Sequence, residues 1–194
     1  MEDILNLLNP WWMGKWTEKS IQRTRYTNII LSHLKDRLVG ILIGSRRVGK
    51  TTILHQVINL LLQRGTKPVH ILYILLDHPK FSGVTISQII EEYRKMHNLQ
   101  RRTKIFILLD EVQYSPNWEQ EVKALVDTET VKIYVSGSSS TLISQKQAFL
   151  TGRYFKQIID PLSFKEFLDF KDVEIAPTEK YRYDSYLDEY LKVG

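Results

Sequence analysis

Apolar residues in this chain gather in short unbroken runs, separated by stretches where they recur every three or four positions. The runs fall at residues 38–43, 69–76, 104–109, 131–135 and 154–159. Each has the length of a strand and little polar alternation, which suits parallel strands covered on both faces. The intervening periodicity, as at Ile86, Ile89, Ile90 and Tyr93, predicts helices over 50–64, 85–97, 116–128, 139–149 and 163–170. Gly65 ends the first of these, Pro116 opens the third, and Ser163 with Glu166 makes a capping box for the last.

Strands alternating with helices predict an α/β fold, a parallel sheet between two helical layers. Right-handed crossovers then gather the loops that follow the strands along one edge, where ligands bind in such sheets. Three polar clusters are due at that edge: residues 44–51, Asp110 with Glu111, and residues 136–140. At the amino end, residues 1–26 hold three of the four tryptophans, Trp11, Trp12 and Trp16, and are expected to form an aromatic arm packed on a core of residues 27–170. Residues 171–194 read as a linker containing Pro177 and then a short helix over 181–193.

Composition narrows the chemistry. A chain of 194 residues suffices for one domain with a full core. The absence of cysteine excludes a disulfide framework, a thiolate zinc site and a catalytic thiol together. The histidines His55, His70, His78 and His97 lack metal-ligand spacing. No apolar run is long enough to span a bilayer. The acidic start MEDILNLLNPWW lacks the pattern of a signal peptide, so the expected location is the cytoplasm, with no membrane partner. A net charge of +5 permits nucleic acid as a partner without supporting it, and no basic helix looks made for a DNA groove.

Gly44-Ser45-Arg46-Arg47-Val48-Gly49-Lys50-Thr51 fits G-x-x-x-x-G-K-[ST] at every position, between a buried strand and a helix. Glycines at both ends free the backbone so that successive N–H groups surround a phosphate, and the helix that follows adds its positive end. Lys50 is placed to reach the β- and γ-phosphates, and the Thr51 hydroxyl to ligand magnesium. Arg46 and Arg47 are expected to point outward, because such a loop binds through its backbone. In KIFILLDEVQ, Asp110 ends a strand where it can hold magnesium, and Glu111 is the candidate to activate a water. Ser136 and Ser138 are candidate γ-phosphate contacts; a serine-rich turn with a helix cap fits each of them equally well. Arg153 is a candidate for neutralising transition-state charge, in its own subunit or a neighbour's, with a plain surface arginine as the alternative. Arg25 and Tyr26 are candidates for stacking on a base.

GSRRVGKTT, ILLDEVQ, SGSSS, LTGR and DPLSFKEFL, in this order, resemble a family of archaeal and bacterial AAA-type P-loop ATPases, as do NPWW and YLKVG near the two ends. The resemblance implies a three-layer P-loop NTPase fold with strand order 5-1-4-3-2, and ATP with Mg2+ as cofactors. It implies Gly44 to Thr52 as the phosphate loop, Asp110 and Glu111 as the acidic pair, and a hydroxyl at Ser136 or Ser138 as γ-phosphate sensor, and it supports Arg153 as an arginine-finger candidate; a homo-oligomer is a candidate assembly. Ser45 stands where many members have proline. Members continue past the YLKVG region into a helical or winged-helix part and a further domain, so the chain is expected to be an ATPase core with the start of a truncated lid over 171–194.

The expected function is Mg-dependent ATP binding and hydrolysis that couples nucleotide state to conformation or assembly. The alternative is a slow ATP-binding switch acting through a missing DNA-binding or effector domain. A small-molecule kinase is the more distant rival: Arg94, Arg101 and Arg102 offer lid-like charge, but no acceptor site is recognisable.

Overall fold

In a computed structural model, which describes residues 1–14, 16–138, 152–173 and 180–193, the five apolar runs form one parallel sheet. The strands are β1 (Val39–Gly44), β2 (Ile71–Leu75), β3 (Ile105–Asp110), β4 (Val131–Ser138) and β5 (Tyr154–Ile158). They lie in the order β2-β3-β4-β1-β5, which is the expected 5-1-4-3-2 read from the other edge. Every residue of β1 and β3 is buried, as continuous apolar strands covered on both faces must be.

Helices α1 (Glu2–Leu8), α4 (Ile86–Met96) and α5 (Trp118–Thr128) share one core with Ile41, Ile74, Ile107 and Ile133. Helices α2 (Thr24–Ser32) and α3 (Lys50–Gln63) share the other with Leu42, Tyr73, Leu108 and Tyr134. Alternate strand residues therefore feed opposite cores, which makes the three layers. Two further helices, α6 (Phe164–Phe170) and α7 (Lys180–Val193), pack through Phe164 and Phe167 against Tyr190; the expected capping box of Ser163 with Glu166 is formed, and Thr85 with Gln88 makes another that the sequence reading did not name.

The amino-terminal arm does more than cover apolar surface. β2 is an edge strand, and Asn9 pairs with it as a strand residue would: Asn9 Oδ1 accepts from the Tyr73 N–H at 2.7 Å and its Nδ2 donates to the Tyr73 carbonyl at 3.0 Å. The indoles of Trp11 and Trp12 both donate to the Ile71 carbonyl, at 3.1 and 2.9 Å. Buried backbone groups at the sheet edge are thereby satisfied by side chains.

Several boundaries differ from the sequence expectation: β2, expected over 69–76, begins only at Ile71 because Pro68–His70 form a 3₁₀ turn. β4 runs on to Ser138, three residues past its apolar run, because Gly137 and Ser138 keep pairing with Ile43 and Gly44 of β1. The helix expected from 116 begins at Trp118, since residues Val112–Tyr114 form a 3₁₀ turn and Asn117 caps α5 in the left-handed conformation. The helix expected over 139–149 lies outside the described residues.

Candidate active site at the carboxyl edge of the sheet

Gly44 is the last residue of β1, and a Cβ there would meet the Ile159 carbonyl oxygen at 2.5 Å and Val48 Cγ2 at 2.8 Å. The loop can fold back over the end of the sheet only because that side chain is missing. Arg47 (φ 66°) and Gly49 (φ 92°) take left-handed backbone, which turns the chain into α3 at Lys50. Ser45, Arg46 and Arg47 are exposed, Val48 and Thr52 half-buried. The two arginines thus point outward, away from the enclosed space.

Lys50 is 4% exposed, and its Nζ is bound inside the loop, donating to the carbonyls of Gly44 at 3.1 Å and Ser45 at 2.9 Å. One residue on, Thr51 Oγ1 donates to Asp110 Oδ2 at 2.6 Å. Asp110 has no solvent exposure and is held by two further hydroxyls: Tyr73 donates to Oδ2 at 2.8 Å, and Ser136 donates to Oδ1. Burial first, and then the adjacent Asp110 charge, push the Tyr73 phenol above its ordinary pKa, so it stays a proton donor to the carboxylate.

Glu111 takes left-handed backbone (φ 55°, ψ 50°), a conformation uncommon outside glycine, asparagine and aspartate. Its N–H reaches Ser136 Oγ at 3.3 Å, and its carboxylate accepts a hydrogen bond from the Gln113 side-chain amide. Ser136 therefore touches both members of the acidic pair. Ser138 ends β4 beside Gly44, half-buried at the same edge.

Topology thus brings together the loop 44–52, Asp110, Glu111, Ser136 and Ser138. It does not bring Arg153. That residue precedes β5, its carbonyl accepts from the Val39 N–H, and its guanidinium pairs with Asp127 at the end of α5. It lies at the amino edge, one strand length from Gly44, or roughly 17 Å at strand rise. The own-subunit role for Arg153 is excluded by this distance. The base-stacking expectation for Tyr26 also fails: its ring is completely buried, under the Arg23 guanidinium, and its hydroxyl engages Asp160.

Sequence reading passed over Arg23. It is 6% exposed and joins three segments: it donates to the Val48 carbonyl of the glycine loop at 2.9 Å, to the Asp160 carbonyl at 3.1 and 3.2 Å, and in two bonds to Glu166 of α6 at 2.8 and 3.0 Å. Burial acts to raise the Glu166 pKa, but bonds from Arg23 and Ser163 outweigh it and bring the carboxyl down to about 2. The one sequence signal was a basic residue set among polar ones before α2, which any surface would also give.

Residues 36–168 match the family model described as an AAA domain. The chain belongs to that family. An uncharacterized protein of Haemophilus influenzae is 31% identical to this AAA domain over 175 residues, which cover 90% of the chain and 43% of the relative. An uncharacterized protein of Methanocaldococcus jannaschii is 33% identical over 161 residues, covering 80% of the chain and 35% of the relative. The chain thus spans less than half the length of these curated relatives. Among solved structures, C. elegans PCH-2 matches with a TM-score of 0.51 at 12% identity, covering 77% of this chain and 46% of that one, a likeness of fold. Family membership supports a nucleotide-binding function of ATPase type.

The donor set at the loop of this AAA domain fits magnesium. Thr51 Oγ1 and Asp110 Oδ2 are hard oxygens 2.6 Å apart beside the helix start, the aspartate buried and the threonine open to solvent. Magnesium binds through one or two protein oxygens and takes its other ligands from water and phosphate, so a threonine–aspartate pair is a sufficient protein share. No helix among the described residues is long and apolar enough to cross a membrane.

Proposed function

We propose that this AAA domain binds ATP with magnesium and hydrolyses it in the cytoplasm, coupling nucleotide state to conformation or assembly. The observation that carries the reading is the contact of Thr51 with Asp110 at the mouth of a loop that already encloses the Lys50 ammonium.

Backbone N–H groups of residues 45–50 and the amino end of α3 supply positive potential for the phosphates. Lys50 shifts its donors from the Gly44 and Ser45 carbonyls to phosphate oxygens. Thr51 and Asp110 would hold magnesium, which when bound neutralises phosphate charge. Glu111 accepts a proton from a water whose oxygen bonds to the γ-phosphorus as the bond to the β-phosphate bridging oxygen breaks. Ser136 holds Asp110 and the Glu111 backbone in register, and Ser138 is the second hydroxyl offered at this edge.

The test is phosphate release from Mg-ATP, with Glu111→Gln as the comparison. Loss of the base should lower kcat by about 100-fold or more while Mg-ATP still raises the melting temperature of the variant. Wild-type release no faster than that of Glu111→Gln, with the thermal shift intact, would replace hydrolysis by the slow ATP-binding switch.

A further inference from the structure

Glu111 is followed by the 3₁₀ turn Val112–Tyr114, and that turn bends one of its own side chains back onto the acid. Gln113 donates from Nε2 to Glu111 Oε2. An ionised carboxylate only accepts, so the amide must present its NH2 group to Glu111, and its Oε1 is not used in that bond. Gln113 Oε1 is buried and has no hydrogen-bond partner, one of three such side-chain atoms among the described residues. A buried carbonyl oxygen left without a donor is unfavourable, so it calls for a hydrogen-bond donor.

We propose that Gln113 is the positioning residue of Glu111 and the second acceptor for the attacking water. The inference rests on the hydrolysis reading above. Glu111 stands on left-handed backbone, which turns its side chain off the strand direction. The single bond from Gln113 fixes the carboxylate rotamer and leaves Glu111 Oε1 open. A water that donates one hydrogen to Glu111 and the other to Gln113 Oε1 has its lone pair left for the γ-phosphorus. It also satisfies the orphaned oxygen. The amide takes no proton: the proton released on attack goes to Glu111, and Gln113 keeps the same tautomer throughout.

The experiment compares wild type with Gln113→Leu, which keeps the bulk and removes both polar atoms. Deleting an unsatisfied acceptor leaves the melting temperature unchanged or raises it. The Mg-ATP KM stays within about twofold, while kcat falls about 10- to 100-fold, the cost of a misplaced reacting group. Unchanged kcat, or a kcat loss matched by an equal rise in KM, overturns the proposal. A second readout needs no turnover. In 1H–15N spectra of the ligand-free protein, a Gln113 side-chain amide proton should lie downfield, and should return to the ordinary glutamine position in Glu111→Ala. An amide signal indifferent to Glu111 overturns the proposal as well. A wild type that shows the amide signature but no phosphate release supports the Gln113–Glu111 contact and overturns the hydrolysis reading instead.

Discussion

At Gly44 the missing side chain is itself a structural element. A methyl there would press on the Ile159 carbonyl, a backbone atom that β5 fixes, and on Val48 within the loop. Gly44→Ala is therefore expected to lose about 1–3 kcal/mol by overpacking and to lose the Mg-ATP thermal shift with it, since the loop must move outward. Denaturant melts with and without Mg-ATP check both parts; an alanine variant with full stability and full nucleotide response would contradict the close approach. The contacts of Asp110 follow the same logic. A buried carboxylate needs donors, and Thr51, Tyr73 and Ser136 supply one hydroxyl each. Tyr73 entered the sequence only as part of an apolar run, because a strand residue facing a core gives no outward sign that its hydroxyl reaches an acid.

Between elements, the strut from Arg23 to Glu166 ties the glycine loop to α6. Arg23→Met should cost about 3 kcal/mol, because Glu166 and the carbonyls of Val48 and Asp160 lose their donors in a largely enclosed place. Glu166 makes the strut sensitive to acid. Its folded pKa of about 2 lies below its ordinary 4.5, so the unfolded chain takes up the proton first. The stabilisation is complete above about 4.5 and is lost as pH falls towards 2. Melting temperatures of wild type should fall more steeply over that window than those of Glu166→Gln; equal slopes would remove Glu166 from the acid response. α6 in turn packs on α7 through the rings of Phe167 and Tyr190.

For the whole molecule, the sheet separates two candidate groups that adjoin neither in sequence nor in space. The loop and acidic pair occupy the carboxyl edge, and Arg153 the amino edge. A contribution of Arg153 to catalysis therefore requires a second copy. If it makes one, specific activity rises with protein concentration, and Arg153→Ala lowers it by roughly 1,000-fold at high concentration while leaving Mg-ATP binding unchanged. Activity per molecule that is flat across the concentration range and equal in the variant would leave Arg153 as the surface partner of Asp127.

Sequence by itself determined the layers, the strand count and the glycine loop between β1 and α3. These depend on local chemistry: runs of Ile, Leu and Val form strands covered on both faces, glycines permit the loop's turns, and Ser163 starts a helix by bonding three residues on. The resemblance of the ordered motifs to AAA-type ATPases added the strand order. Tertiary structure alone decided which side chains meet. It showed Asn9 completing an edge strand 64 residues away, Arg23 gripping the loop and α6, Tyr26 buried rather than free to stack, Arg153 at the far edge, and Gln113 folded onto Glu111. Those contacts depend on the register of parallel strands and on the direction of individual side chains. Neither leaves a periodic trace in the order of residues.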